Sequence, residues 1–328
     1  GAITSASGFI RFDGDLALGP GASVGSGMGL TADEIIFSES VTLRAGASFA
    51  GGGVGLEAAS GNVEFQGGVT MEKGALLGSI SAEAGFFAPA SSDGSVVVNG
   101  LTTASSGTIG KISATGLFAV SGDVFLGSGT VLAGIDASLS LDGDLTLADN
   151  AQLADENGVG LSSFLGFAEV DGSVFLASGA GIGAFSGVDV VELAFGDGST
   201  LELGSGATIG AIGTGFPISI VNLGRSGVIL GNHASLEGIG GTEVQFGSGA
   251  STTLEQDSSI GAILAFGFSF SGGSTGRILF DGDLALGSGA SIGDLTAGGK
   301  NSKDFSGNVF SGGITFNGAV TLASGASI

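Results

Sequence analysis

The chain has 328 residues, 68 of them glycine and none cysteine, and a formal charge of −23 at pH 7 from 31 acidic and 8 basic side chains. Without sulfur in thiol form there is no disulfide framework, thiolate nucleophile or cysteine metal site. A surface this acidic is a poor partner for nucleic acid or anionic membranes, and no run of about 18 apolar residues supplies a membrane helix.

Glycine is far above its usual share of roughly 7%, but it does not recur every third residue, so collagen is excluded. The apolar residues, 43% of the chain, recur periodically, which argues against disorder. The length alone would allow two average domains, but internal repetition overrides a length prior, and the expectation is one domain spanning 1–328.

Residues 1–8 are a short lead-in. The opening Gly1-Ala2-Ile3-Thr4 shows no signal peptide and is compatible with a processed mature end. The first repeat follows at once, Ile10–Val24 with the text IRFDGDLALGPGASV. It reads h-x-F-x-G-x-L-x-L-x-x-G-A-x-h, where h is apolar: three short alternating strands and two tight turns. Period-two alternation puts Ile10, Phe12, Leu16, Leu18, Ala22 and Val24 inward and Arg11, Ala17 and Ser23 outward. Three-residue strands cannot bury a face alone; stacked copies give parallel sheets over a continuous core.

The second-strand anchor recurs as Leu18, Leu43, Met71, Thr103, Leu126, Leu147, Leu176, Leu203, Leu230, Leu254, Leu286 and Leu322. That is about 12 coils at intervals of roughly 21 to 36 residues, inside the solenoid range. At one strand spacing per coil they would make a rod roughly 55–60 Å long. The first-strand column runs from Phe12, Phe37 and Phe65 to Phe246, Phe280 and Phe316, and like side chains in register would reinforce the pairing. The third-strand column runs from Val24 and Phe49 to Ile292 and Ile328. A corner column reads Gly21, Gly46, Gly74, Gly107, Gly129, Asn150, Gly179, Gly206, His233, Asp257, Gly289 and Gly325. Its exceptions to Gly are the residue types that tolerate positive φ, so one left-handed corner is expected throughout.

Insertions fall mainly at one corner, after Val24, Leu77, Leu153, Ile260 and Ile292, and such insertions commonly decorate one side of a solenoid. Within one of them, Phe266, Phe268 and Phe270 form an apolar segment expected either to fold over its own coil or to dock on a neighbouring subunit. Outward positions of the second strand alternate Thr42, Thr70, Thr146 and Thr321 with Ala17, Phe125, Phe175, Ile229 and Ala285, which suggests lateral contact with other chains. The sentence of the first repeat returns nearly verbatim at Ile278–Ile292 and again at Ile314–Ile328, and no capping element is visible at either tip. Open ends of a solenoid invite edge-to-edge pairing. The expected axial interface comprises Ile10, Phe12, Leu16, Leu18 and Val24 at one tip and Ile314, Phe316, Val320, Leu322 and Ile328 at the other.

Chemistry is sparse. The one histidine, His233, sits in the corner column and reads as a turn residue, not a base or ligand. Gly-x-Gly strings arise from the turns and carry no phosphate signal. Asp123, Asp142, Asp144 and Asp171 would line one edge a strand spacing apart. They read as a solvated edge, with Ca²⁺ as the alternative occupant. The basic residues Arg11, Arg44, Lys73, Lys111, Arg225, Arg277, Lys300 and Lys303 are scattered, unlike the groove of a polysaccharide-active β-helix enzyme, and the Thr ladder is too interrupted for ice binding. No catalysis and no cofactor are expected.

These repeats resemble those of bacterial surface β-solenoids, including autotransporter passengers and adhesins, and more loosely the cytoskeletal bactofilins. The resemblance covers nearly the whole chain and specifies shape. It implies an all-β protein, a single parallel β-solenoid of either hand with about 12 three-strand coils, exported to the cell surface in a structural or adhesive role. The first expectation is a subunit of an extracellular filament that polymerises head to tail with copies of itself. The alternative is a passenger or fragment of an adhesin that binds a host or surface partner; a polysaccharide-active enzyme ranks below both.

Overall fold

The computed structural model describes residues 3–5, 8–25, 29–50, 55–83, 94–163, 166–187, 190–195, 199–213, 220–223, 227–241, 243–246, 251–265, 276–297 and 313–328. They form two compact units, Gly1–Ser162 and Ser163–Ile328. Among the described residues every element is a β-strand, and every pairing is parallel, so the all-β parallel solenoid expected from the repeats is the fold. No helix among them is long and apolar enough to cross a membrane.

In the first unit the second strands of the repeat stack in the order Leu16–Leu18, Val41–Leu43, Val69–Met71, Leu101–Thr103, Val124–Leu126 and Leu145–Leu147. Their register puts Leu18 opposite Leu43, Leu43 opposite Met71, Met71 opposite Thr103 and Leu126 opposite Leu147, as the anchor column requires. The third strands stack alongside from Ser23–Val24 to Gln152–Leu153. The first strands pair Phe12 with Phe37 and Phe37 with Phe65. The second unit repeats this plan, with second strands from Val174–Leu176 to Val320–Leu322 and first strands that pair Phe246 with Phe280 and Phe280 with Phe316.

The core follows from these columns. Phe37, Leu43, Phe49, Phe65, Leu126, Leu176, Leu230, Phe246 and Leu254 are all 0–1% exposed. Each such side chain contributes about 1.5–3 kcal/mol on leaving water. The phenylalanines stack face to face as well: Phe12 on Phe37 at 4.8 Å and Phe37 on Phe65 at 4.7 Å in the first unit, Phe246 on Phe280 at 4.6 Å and Phe280 on Phe316 at 5.0 Å in the second. Parallel, in-register pairing imposes this offset-stack spacing because successive coils are one strand apart.

Among the described residues most coils also carry a fourth strand, lying in what the repeat template leaves as a variable corner. In the first unit it appears as Ile3–Thr4, Leu30–Ala32, Leu56–Ala58 and Ile80–Ala82, and then as the leading parts of the longer strands Ile112–Val120 and Ile135–Leu141. In the second unit Ile239–Gly241, Ile263–Ala265 and Leu295–Ala297 form it, and Ile212 bridges Phe185 and Ile239. It supplies a further inward column in which Leu30, Leu56, Ile80, Ile112, Ile239 and Ile263 are 0–2% exposed. The insertions therefore flank this strand on both sides. The Phe266–Phe270 segment lies outside the described residues, as do Arg225, Lys300 and Lys303.

The corner between second and third strands is left-handed, with φ between 52° and 76° at Gly21, Gly46, Gly74, Ser106, Gly129, Asn150, Gly179, Gly206, His233, Asp257, Gly289 and Gly325. One member of the expected column is corrected: the left-handed residue of the Thr103 coil is Ser106, not Gly107. The corner falls three residues after the anchor in every coil, and Thr103 plus three is Ser106. Its N–H donates to the Ser128 carbonyl at 2.8 Å, just as Gly74 N–H donates to the Ser105 carbonyl and Gly129 N–H to the Asp149 carbonyl. Gly107 belongs instead to the inward small-residue column of Ala47, Ala75 and Ala151, which are 0–1% exposed.

The polar anchor Thr103 is buried with a matched partner. Thr130, which occupies the small-residue column of the next coil, is also 0% exposed, and the two hydroxyls are 3.0 Å apart. The Thr103 hydroxyl also accepts the Gly127 N–H at 2.8 Å. In neighbouring coils the equivalent N–H goes to a main-chain carbonyl: Ala104 to Met71 at 2.7 Å and Ala148 to Leu126 at 2.8 Å. Here a side chain has taken the place of a carbonyl in the ladder. Gly127 itself leaves no room for a Cβ, which would lie 1.1 Å from the Ala104 carbonyl oxygen.

Candidate functional site

The residues expected at the tips sit in the same columns as the core but outside it. In the last repeat, Ile314 is 41% exposed, Phe316 36%, Val320 44%, Leu322 49% and Ile328 47%, while their register partners Ile278, Phe280, Leu284 and Leu286 are 0–2% exposed. Gly313–Phe316 and Val320–Leu322 pair on one side only, with Arg277–Phe280 and Leu284–Leu286. The first repeat is more sheltered: Leu18 is 7% exposed and Ile10, Phe12, Leu16 and Val24 are half-buried. Two apolar side chains there that the repeat pattern did not single out are exposed, Ile3 at 43% and Phe9 at 64%. Phe9 precedes the inward Ile10 and so falls on the outward phase of its strand, a position the repeat leaves unspecified.

The turn carboxylates have a structural task. Asp15 Oδ1 accepts the N–H of Ser40 at 3.2 Å and its hydroxyl at 2.6 Å. Asp123 Oδ1 accepts the N–H of Asp144 at 3.0 Å, and Asp283 Oδ1 accepts that of Ala319 at 2.8 Å. In each case the carboxylate at the end of the first turn caps the same turn of the following coil. Hydrogen bonds of this charge-assisted kind are stronger than neutral ones. The four Asp proposed as a Ca²⁺ edge are all exposed. Asp123, Asp142 and Asp144 belong to the first unit and Asp171 to the second. No group of three or more potential metal-ligating side chains converges anywhere among the described residues.

The remaining polar groups are surface features. His233 and Asp257 occupy consecutive left-handed corners, with Nε2 3.7 Å from a carboxylate oxygen and the imidazole 67% exposed. Lys111 pairs with Asp136 at 2.9 Å, and the Ser162 hydroxyl donates to the other oxygen of that carboxylate. Exposed pairs of this sort contribute at most about 1 kcal/mol. Asp155 closes the turn into the strand Val159–Ser163 by accepting the N–H groups of Val159 at 2.9 Å and Asn157 at 2.8 Å. These bonds, that from Val159 foremost, hold its carboxyl below the usual range. Glu34 is the opposite case: partial burial, and then the nearby Glu64 carboxylate, push its carboxyl up.

The geometry thus offers strands that pair on one side only and exposed apolar columns, with structural roles for several of its acids. Comparison with protein-family models, curated proteins and solved structures found no match.

Proposed function

We propose that this chain is a structural subunit of an extracellular filament, built by stacking the last repeat of one copy on the first repeat of the next. The observation that carries the reading is the exposed column set Ile314, Phe316, Val320, Leu322 and Ile328, each the same residue class as the buried positions one coil below. A joint of this kind would repeat contacts already made inside the chain. Phe316 would stack on Phe12 as Phe280 does on Phe316, and the free strand edges would continue the ladders. A heterologous contact that does not close generates a fibre. The near-identity of Ile10–Val24 with Ile278–Ile292, which already stacks on the last repeat, supports the match of tip to tip.

Electron microscopy of the purified chain and of a variant lacking Gly313–Ile328 tests this. Uniform fibres from the full chain, with none from the truncated one while its circular dichroism stays β-rich, are the expected result. Persistent monomers of the full chain would instead favour an adhesin passenger, or further coils of the same polypeptide over that tip. Fibres that grow normally from the truncated chain would refute axial stacking.

A further inference from the structure

We propose that the joint between copies closes in all four strand ladders, with Ile3–Thr4 of one copy laid on Leu295–Ala297 of the copy before it; this rests on the head-to-tail stacking of first repeat on last. Both segments are fourth strands with an open edge. Among the described residues Ile3–Thr4 pairs only with Leu30–Ala32, and Leu295–Ala297 only with Ile263–Ala265. Ile3 is 43% exposed, whereas Leu30, Leu56, Ile80 and Ile112 in the same column are 0–2%. Leu295 is half-buried, whereas Ile263 beside it is fully buried.

The two edges are in phase. Ile3–Thr4 leads into the first repeat and Leu295–Ala297 into the last. Stacking Ile10–Val24 on Ile314–Ile328 therefore brings Ile3 over Leu295 and Thr4 over Thr296 with no slip, and a slip of one residue would turn every apolar side chain outward. Inside the chain the first N–H of this strand donates to the carbonyl just before the same strand of the next coil, Ile239 to Ala262 at 3.0 Å and Ile263 to Asp294 at 2.9 Å. Leu295 would make the same bond to the second copy. The connection agrees as well. A fourth strand opens three residues after the third-strand residue in Leu77/Ile80, Ile109/Ile112 and Ile260/Ile263. Across the joint, Ile328 followed by Gly1, Ala2 and Ile3 would read Ile-Gly-Ala-Ile at that interval, the text that stands at this connection in Ile209–Ile212 and Ile260–Ile263. Another partner would have to reproduce four apolar columns and this interval; a second copy carries them already. A joint of three ladders would leave one wall of the solenoid open at every junction, with Ile3 in water, and the fourth ladder closes it.

Paired cysteines test the register, since the chain has none of its own. Thr4, Thr296, Arg11 and Thr315 are all exposed. Opposed residues of neighbouring parallel strands lie about 4.8 Å apart, within the reach of a disulfide. Under mild oxidation with diamide, Thr4→Cys/Thr296→Cys should give a series of covalent multimers, and so should Arg11→Cys/Thr315→Cys across the first-strand ladder. The crossed pairs Thr4→Cys/Thr315→Cys and Arg11→Cys/Thr296→Cys should yield about tenfold less or lower, because their Cα atoms are not opposed. Multimers from Arg11→Cys/Thr315→Cys with none from Thr4→Cys/Thr296→Cys would overturn the fourth ladder and leave the axial joint standing. Crossed pairs that link as well as the matched ones would overturn the register. Absence of multimers from both matched pairs, with no fibres from the full chain, would remove head-to-tail stacking itself and this inference with it.

Discussion

Replacing Thr103 by valine keeps its shape and deletes one hydroxyl, and that hydroxyl serves two buried groups. The Gly127 N–H at 2.8 Å loses its acceptor, and the Thr130 hydroxyl at 3.0 Å loses its partner, both in a region where Thr103 and Thr130 are 0% exposed. A buried group left unsatisfied costs about 1–3 kcal/mol, so Thr103→Val should destabilise the surrounding coils by roughly 2–5 kcal/mol. Thr130→Ala removes only one member of the pair and leaves the Gly127 bond in place, which predicts about 1 kcal/mol. The double variant no longer carries an orphaned Thr130 hydroxyl, and the two effects should fall short of additivity by about 1–2 kcal/mol. Stacked repeats need not unfold in one step. The measurement is therefore native-state hydrogen exchange at the Gly127 amide, supported by thermal melts of all four proteins. Loss of protection at Gly127 in Thr103→Val is the direct signature. Additive energies, or a Gly127 amide that exchanges as slowly in Thr103→Val as in the wild type, would refute the reasoning.

Ser106 holds a left-handed φ of 52°, and a Cβ on Gly107 would meet nothing nearer than 3.6 Å, so Ser106→Gly/Gly107→Ala restores the corner used elsewhere. It should raise stability by about 1–2 kcal/mol, from relief of strain at 106 and a less flexible unfolded chain at 107, visible as a higher melting temperature. Glu34, whose carboxyl is pushed up by burial and by Glu64, binds its proton more tightly folded than unfolded, so its ionisation costs stability as pH rises from the unfolded value through the raised folded one. Glu34→Gln should therefore melt higher than the wild type at neutral pH, and the gap should close below the ordinary glutamate range; a gap that widens in acid would contradict the assignment.

The anchor, corner and third-strand columns were legible because their spacing inside each repeat never changes: the anchor, the corner three residues on, the small residue after it and the third-strand residue are locked together by the left-handed turn, whereas the first-strand column precedes the anchor by a variable interval, as in Phe37/Leu43 and Phe246/Leu254. The fourth strand escaped that reading although it has a signal of its own. An apolar residue follows the third-strand residue by three positions in Leu77/Ile80, Ile109/Ile112, Leu132/Ile135, Leu236/Ile239 and Ile260/Ile263. Insertions after Val24, Phe49 and Leu153 break the interval, so the column fades when the repeats are aligned on the corner. The slip from Ser106 to Gly107 has the converse cause: a search for glycine found one a single residue away from the position that geometry demanded. The role of the turn aspartates was not accessible from composition, because it depends on which main-chain N–H lies one coil above. The exposed tip residues were placed by the repeat itself, since position within a column determines what covers a side chain.

The fixed corner and the fourth strand together divide each coil into a part that must keep its length and a part that need not. Between anchor and third strand the N–H after the anchor bonds to the preceding coil, as from Glu72 to Leu43, that of the corner to the following coil, as from Gly74 to Ser105, and that of the small residue back within the turn, as from Ala75 to Glu72, and one added residue would move all later side chains to the opposite face. On either side of the fourth strand the chain already varies from an unbroken run, as in Ile135–Leu141, to long excursions. Foreign peptides grafted at those two junctions would leave the stacked rungs undisturbed and emerge in successive layers, which makes the molecule a ready display scaffold with an address for every cargo.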